Sequence, residues 1–189
     1  MHLLAAGDSL TYGFDVPMPS RWLTKLVAAL PDLQVTNLGM CGAGLDQVLQ
    51  RTERTLREPV AYDLLFLMAG SNDIMQDAEN EQPVDIRPLV RKITAFASAH
   101  AALPIVIGIP PEITKEAIYT GWQSAPAFPY AVAAFQEYGD ALVRAFPQAT
   151  LDFRRLLASN EYDDGVHPNI YGYAKMAKHA QTYFASSNS

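Results

Sequence analysis

Residues 64–68, Leu-Leu-Phe-Leu-Met, carry no polar side chain. A strand that reads this way is covered on both faces, which a parallel sheet between helices provides and a half-wet antiparallel sheet does not. Ile105–Ile109 repeats the pattern with β-branched residues, opened by Pro104 and stopped by Pro110-Pro111. Leu3–Ala6, Leu33–Leu38 and a short segment at Thr150-Leu151 are the remaining candidate strands. Between them, apolar residues recur at helical spacing in Trp22–Leu30, Leu45 to about Arg57, Ile86–Ala99, Ala131–Phe146 and Ile170–Phe184. Strands alternating with helices imply right-handed crossovers, hence a three-layer α/β domain around a parallel sheet. With no internal repeat or linker, the 189 residues are expected to form one domain, 1–189.

Charge and cysteine usage narrow the function classes. Fourteen basic against twenty acidic residues leave a net charge of −6, and no Lys/Arg cluster could follow a phosphate backbone, so no nucleic-acid partner is expected. The single cysteine, Cys41, can neither close an internal disulfide nor join a spaced Cys/His zinc set. Met1–Ala6 meets Gly7 after four apolar residues and carries no basic stretch, which is too short for a signal peptide. No apolar run approaches a membrane span, so the expectation is a soluble, cytoplasmic protein without stable membrane insertion; its oligomeric state is left open.

In a parallel α/β sheet, ligands sit outside the carboxyl ends of the strands. Polar clusters fall there: Gly7-Asp8-Ser9-Leu10 after the first strand, Gly39–Gly44 after the second, and Gly70-Ser71-Asn72-Asp73 after the third. Asp164-Gly165-Val166-His167-Pro168 precedes the last helix. A serine hydroxyl needs a base within hydrogen-bond reach and a third group to hold that base in one tautomer; Ser9, His167 and Asp164 can fill these roles. Taken alone, Ser9 could equally cap a helix, and Asn72-Asp73 could cap a turn. Attack on an ester carbonyl creates an oxyanion that needs preorganised donors, for which the Ser9 amide, a glycine amide of the second loop and the Asn72 side chain are candidates.

Gly7-Asp8-Ser9-Leu10, Asn37-Leu38-Gly39-Met40-Cys41-Gly42, Gly70-Ser71-Asn72-Asp73 and Asp164–Pro168 resemble blocks I, II, III and V of the SGNH, or GDSL, hydrolases, in that family's order. The resemblance implies a flavodoxin-like sandwich with a five-stranded parallel sheet and cofactor-free hydrolysis of small-molecule esters or thioesters. It assigns Ser9 as nucleophile, His167 as base, Asp164 as its orienting acid, and the Ser9 amide, Gly42 and Asn72 as oxyanion donors. Gly39 and Gly44 are alternatives to Gly42. Position 11 is Thr, so Ser9 lacks the Gly-x-Ser-x-Gly elbow of ordinary α/β-hydrolases.

Asp8, Asp63 and Asp73 read as loop-holding residues, and His2, His100 and His179 as packing or surface residues. The stretch 112–130 carries Tyr119 and Trp122 among prolines and small residues; it lines an acyl pocket, acts as a lid or folds back over the core. Three other readings compete with the hydrolase, one of them a non-catalytic binding module that keeps the fold, against which the intact triad residues count. A metal-dependent phosphoesterase would need more motif histidines than His167, and the Gly39–Gly44 order, Gly-x-x-Gly-x-Gly, is not a dinucleotide-binding loop. No metal or cofactor is therefore expected.

Overall fold

The computed structural model describes residues 1–186. Strand β1 (His2–Gly7) leads through the single turn α1 (Ser9–Tyr12) to α2 (Trp22–Ala29), β2 (Gln34–Asn37), α3 (Leu45–Leu56) and β3 (Leu64–Met68). The helices α4 (Ser71–Ala78) and α5 (Arg87–Ala99) precede β4 (Ile105–Ile109), and α6 (Glu116–Tyr119) and α7 (Phe128–Ala145) precede β5 (Thr150–Asp152) and α8 (Ile170–Ser186). All strand pairs are parallel, in the order β2-β1-β3-β4-β5. That is the flavodoxin-like order, whose direction reverses between β1 and β3.

Side chains alternate across the sheet with period two, and the core divides accordingly. Leu4, Ala6, Leu65, Leu67, Ile107 and Ile109 face α3, α4, α5 and α7. Leu3, Ala5, Phe66, Met68, Val106 and Leu151 face α2 and α8, where Trp22, Tyr173 and Phe184 are buried. The all-apolar β3 is thus explained: it is a central strand with a helix layer on each side. At the edge, β2 is half-exposed and can carry Gln34, Thr36 and Asn37.

Two helices depart from the sequence expectation. α7 begins at Phe128 rather than Ala131 because Pro129 sits in its first turn, where the missing N–H costs nothing. α4 was not expected from the apolar pattern, since Ile74, Met75 and Ala78 are its only buried apolar residues. Among the described residues no helix is long and apolar enough to cross a membrane.

Candidate active site

Asp8, not Ser9, caps α1: its Oδ1 accepts the Leu10 amide at 2.9 Å. Ser9 is therefore the first helical residue, and its hydroxyl is free for another partner. Oγ of Ser9 lies 2.9 Å from Nε2 of His167, and Nδ1 of His167 lies 2.7 Å from Oδ2 of Asp164. An ionised carboxylate can only accept, so Nδ1 carries the proton and Nε2 is left to accept from the serine hydroxyl. His167 is 2% exposed, so bulk water has little access to either contact.

The loop that brings Asp164 to His167 is shaped by Gly165, whose φ is +85° and whose Cβ would lie 2.2 Å from the Ala117 amide nitrogen. Only glycine fits there, and the turn lets Oδ1 of Asp164 accept the amides of Val166 and His167 at 2.9 and 2.7 Å. Burial alone would raise the Asp164 carboxyl, but the His167 side chain and these two amides outweigh it and hold it below its ordinary value.

Across the crevice, Asn72 donates from Nδ2 to the Ala43 carbonyl at 2.9 Å, which uses one of its two N–H bonds and ties the second loop to α4. Asp73 caps α3 from a distance: its Oδ2 accepts the Leu45 amide at 2.8 Å. Of the three loop glycines, Gly39 donates its amide to Oδ1 of Asn37 and Gly44 donates to Oε1 of Gln47. Gly42, with φ +73° and nothing within 4 Å of where a Cβ would stand, is the one whose amide has no partner among the described residues. The first-turn amide of Ser9 likewise has no intrahelical carbonyl to bond.

The segment 112–130 is fastened rather than loose. Thr114 donates its amide to the Gly165 carbonyl, Thr120 donates Oγ1 to the Asp164 carbonyl, and the buried Gln123 donates Nε2 to Oε1 of Glu79 at the end of α4. Trp122 is thereby held with its ring centroid 4.8 Å from that of His167, whereas Tyr119 stands 85% exposed. Phe14, which no sequence signal singled out, packs 4.6 Å from the same imidazole. Centroid separations of 4.6, 4.8 and 6.5 Å put the two aromatic rings at about a right angle around it, and this corner shields the imidazole.

Asp8 is fully buried, and burial pushes its carboxyl up to about 6 despite the Leu10 amide and the Ser71 hydroxyl. A carboxyl raised in the fold burdens it when ionised: the cost is complete above about 6 and absent below 3.8, its ordinary value. Two units correspond to at most about 3 kcal/mol. Asp8→Asn keeps the acceptor for Leu10 and removes the charge. Its melting temperature is expected to exceed that of the wild type by roughly 5–10 °C at pH 8, with the gap closing by pH 4; a constant gap would contradict the titration.

The strand order and the polar rim at the β1/β3 reversal define a flavodoxin-like α/β fold with a crevice at the carboxyl ends of its strands. The chain belongs to the GDSL-like Lipase/Acylhydrolase family, whose sequence profile matches residues 5–175. Its fold is shared with a member of the lipolytic protein G-D-S-L family from Veillonella parvula DSM 2008, at 22% identity, 98% coverage of both chains and a TM-score of 0.82. A carbohydrate acetylesterase family member from Sinorhizobium meliloti is similar at 20% identity and TM-score 0.73, covering 98% of this chain and 97% of its own. LAE5, an alpha/beta hydrolase enzyme from the metagenome of Lake Arreo, Spain, aligns at 17% identity and TM-score 0.72, over 100% of this chain and 96% of its own. No curated protein sequence matches the chain.

Proposed function

We propose that the protein is a serine esterase that cleaves carboxylic esters of short to medium acyl chains through an acyl-enzyme on Ser9. The observation that carries this reading is the continuous hydrogen-bonded path from Oγ of Ser9 through His167 to Asp164, at 2.9 and 2.7 Å. Oγ attacks the ester carbonyl while Nε2 of His167 takes the hydroxyl proton. The oxyanion is received by the amides of Ser9 and Gly42 and the remaining Nδ2 proton of Asn72, donors that need no reorganisation. The leaving alcohol takes the proton from His167, and a water activated by the same nitrogen then releases the acid. Asp164, held ionised, stabilises the transient imidazolium. One domain supplies every group in this scheme.

Thioesters, lysophospholipids and acetylated sugars present the same carbonyl and are alternative substrates of the same site. Trp122, 43% exposed and beside His167, is the candidate wall for the acyl chain, whereas Tyr119 stands out in solvent and receives no role. Hydrolysis of p-nitrophenyl acetate, butyrate, octanoate and palmitate, with and without a chelator, tests the reading. Chelator-insensitive turnover of the shorter esters is the expected result, and turnover of none would contradict it. In Trp122→Ala the KM for octanoate is expected to rise about tenfold more than that for acetate; equal changes would place Trp122 against the base alone.

A further inference from the structure

Helix α3 begins at the oxyanion loop and runs away from it along the open edge of the sheet. Its two acidic residues are occupied on one side: Asp46 is 2.7 Å from Lys92, and Glu53 meets Arg57 at 3.8 Å and His100 at 2.6 Å. Gln47, Gln50, Arg51, Arg54 and Glu58 follow at i, i+3, i+4, i+7 and i+11, which puts them on a different, common face. That face and strand β2 line a cleft of about 530 Å³, together with Met40 of the oxyanion loop and Tyr62.

The two guanidiniums in this cleft have no acid partner among the described residues. Arg51 donates only to the thioether of Met40, at 3.7 Å, and Arg54 makes no ion pair. In a chain with twenty acidic and fourteen basic residues, this concave surface is locally positive, with two guanidiniums against the single carboxylate of Glu58. Glu58, the one acid lining the cleft, lies beyond the last turn of α3, four residues past Arg54. Arg51 and Arg54 are six and nine residues past Leu45, so about 9 and 14 Å along the axis, and helical side chains tilt back toward the helix start, here the site.

We propose that the cleft between β2 and α3 binds an anionic group, a carboxylate or phosphate carried on the distal end of the substrate, through Arg51 and Arg54. The proposal rests on the esterase reading and gives it a substrate class: esters bearing a negative charge roughly 10 Å from the reacting carbonyl. Guanidinium forks match carboxylate and phosphate oxygens, and Gln47 and Gln50 add neutral donors beside them.

The test compares mono-4-nitrophenyl esters of adipate, suberate and sebacate with the corresponding methyl 4-nitrophenyl diesters, in which a methyl ester replaces the charge at the far end. The wild type is expected to prefer the free acid by about tenfold in kcat/KM at one of the longer lengths, the combined effect of two partly exposed charge contacts. The preference should fall between 50 and 500 mM salt. Arg51→Gln/Arg54→Gln, at exposed positions that glutamine suits, should abolish it while leaving turnover of the methyl diesters within about twofold. An acid-to-methyl ratio equal in wild type and double variant at all three lengths would overturn the cleft without touching the esterase reading. Turnover of neither ester would contradict the esterase reading instead. Calorimetry with suberate then decides the cleft: binding lost in the double variant supports it, and equal or absent binding overturns it.

Discussion

Ser9→Ala is expected to lower kcat by about 10⁴–10⁶ while leaving the melting temperature within a degree or two of the wild type. The size follows from the proposed role: without Oγ no acyl-enzyme can form, and the two-step path would be replaced by direct attack of water, helped only by the proposed oxyanion donors and by binding. The absence of a stability cost follows from position. Asp8 holds the α1 cap, so the Ser9 hydroxyl contributes no helix contact, and alanine is a better helix former than serine. The variant should still bind substrate, so its KM changes little. Retention of more than about one per cent of turnover would mean that another group makes the attack.

Asp164→Asn is expected to cost about 10⁴ in kcat, more than the loss of one hydrogen bond would suggest. The asparagine oxygen can keep the amides of Val166 and His167 that Asp164 now accepts, so the loop persists. What changes is the group facing Nδ1, 2.7 Å away. An amide NH₂ there requires Nδ1 to be the acceptor, which moves the proton to Nε2 and leaves the base unable to take the serine proton. Stability gives a second readout. Because the Asp164 carboxyl is held below its ordinary value, it stabilises the fold above 3.8 and loses that contribution as pH falls through the lowered folded value. Wild type should therefore destabilise more steeply than Asp164→Asn below pH 4, as followed by thermal melts; parallel pH profiles would contradict the assigned hydrogen bonds.

The sequence carried the layers well because burial leaves a direct mark on residue type. β3 and β4 lie where Leu64–Met68 and Ile105–Ile109 were expected, since central parallel strands contact helices on both faces and exclude polar residues. α4 was invisible because its N-terminal turn, Ser71-Asn72-Asp73, is spent on the crevice, so the polar side chains that serve the site also mask the helical period. The start of α7 was obscured for a different reason: a proline reads as a breaker until the turn it occupies is known.

The Ser9–His167–Asp164 contacts were legible because each role demands a particular residue type in a recognisable local setting. Phe14 was not, since a phenylalanine beside a glycine carries no chemical demand, and its packing on His167 closes a loop of 153 residues. The anchorage of Trp122 through Gln123 and Glu79 spans 44 positions and likewise leaves no local pattern. The second loop was partly legible. Its glycines could be counted from the sequence, but which amide stays free depends on Asn37 and Gln47 having taken the other two.

The nucleophile itself is the most direct point of test. Incubation with a fluorophosphonate, followed by proteolysis and mass spectrometry, should give one adduct on Ser9 that is absent from Ser9→Ala and formed far more slowly in Asp164→Asn. Labelling of Tyr12 or Cys41 in place of Ser9, or no covalent adduct at any concentration, would contradict the account.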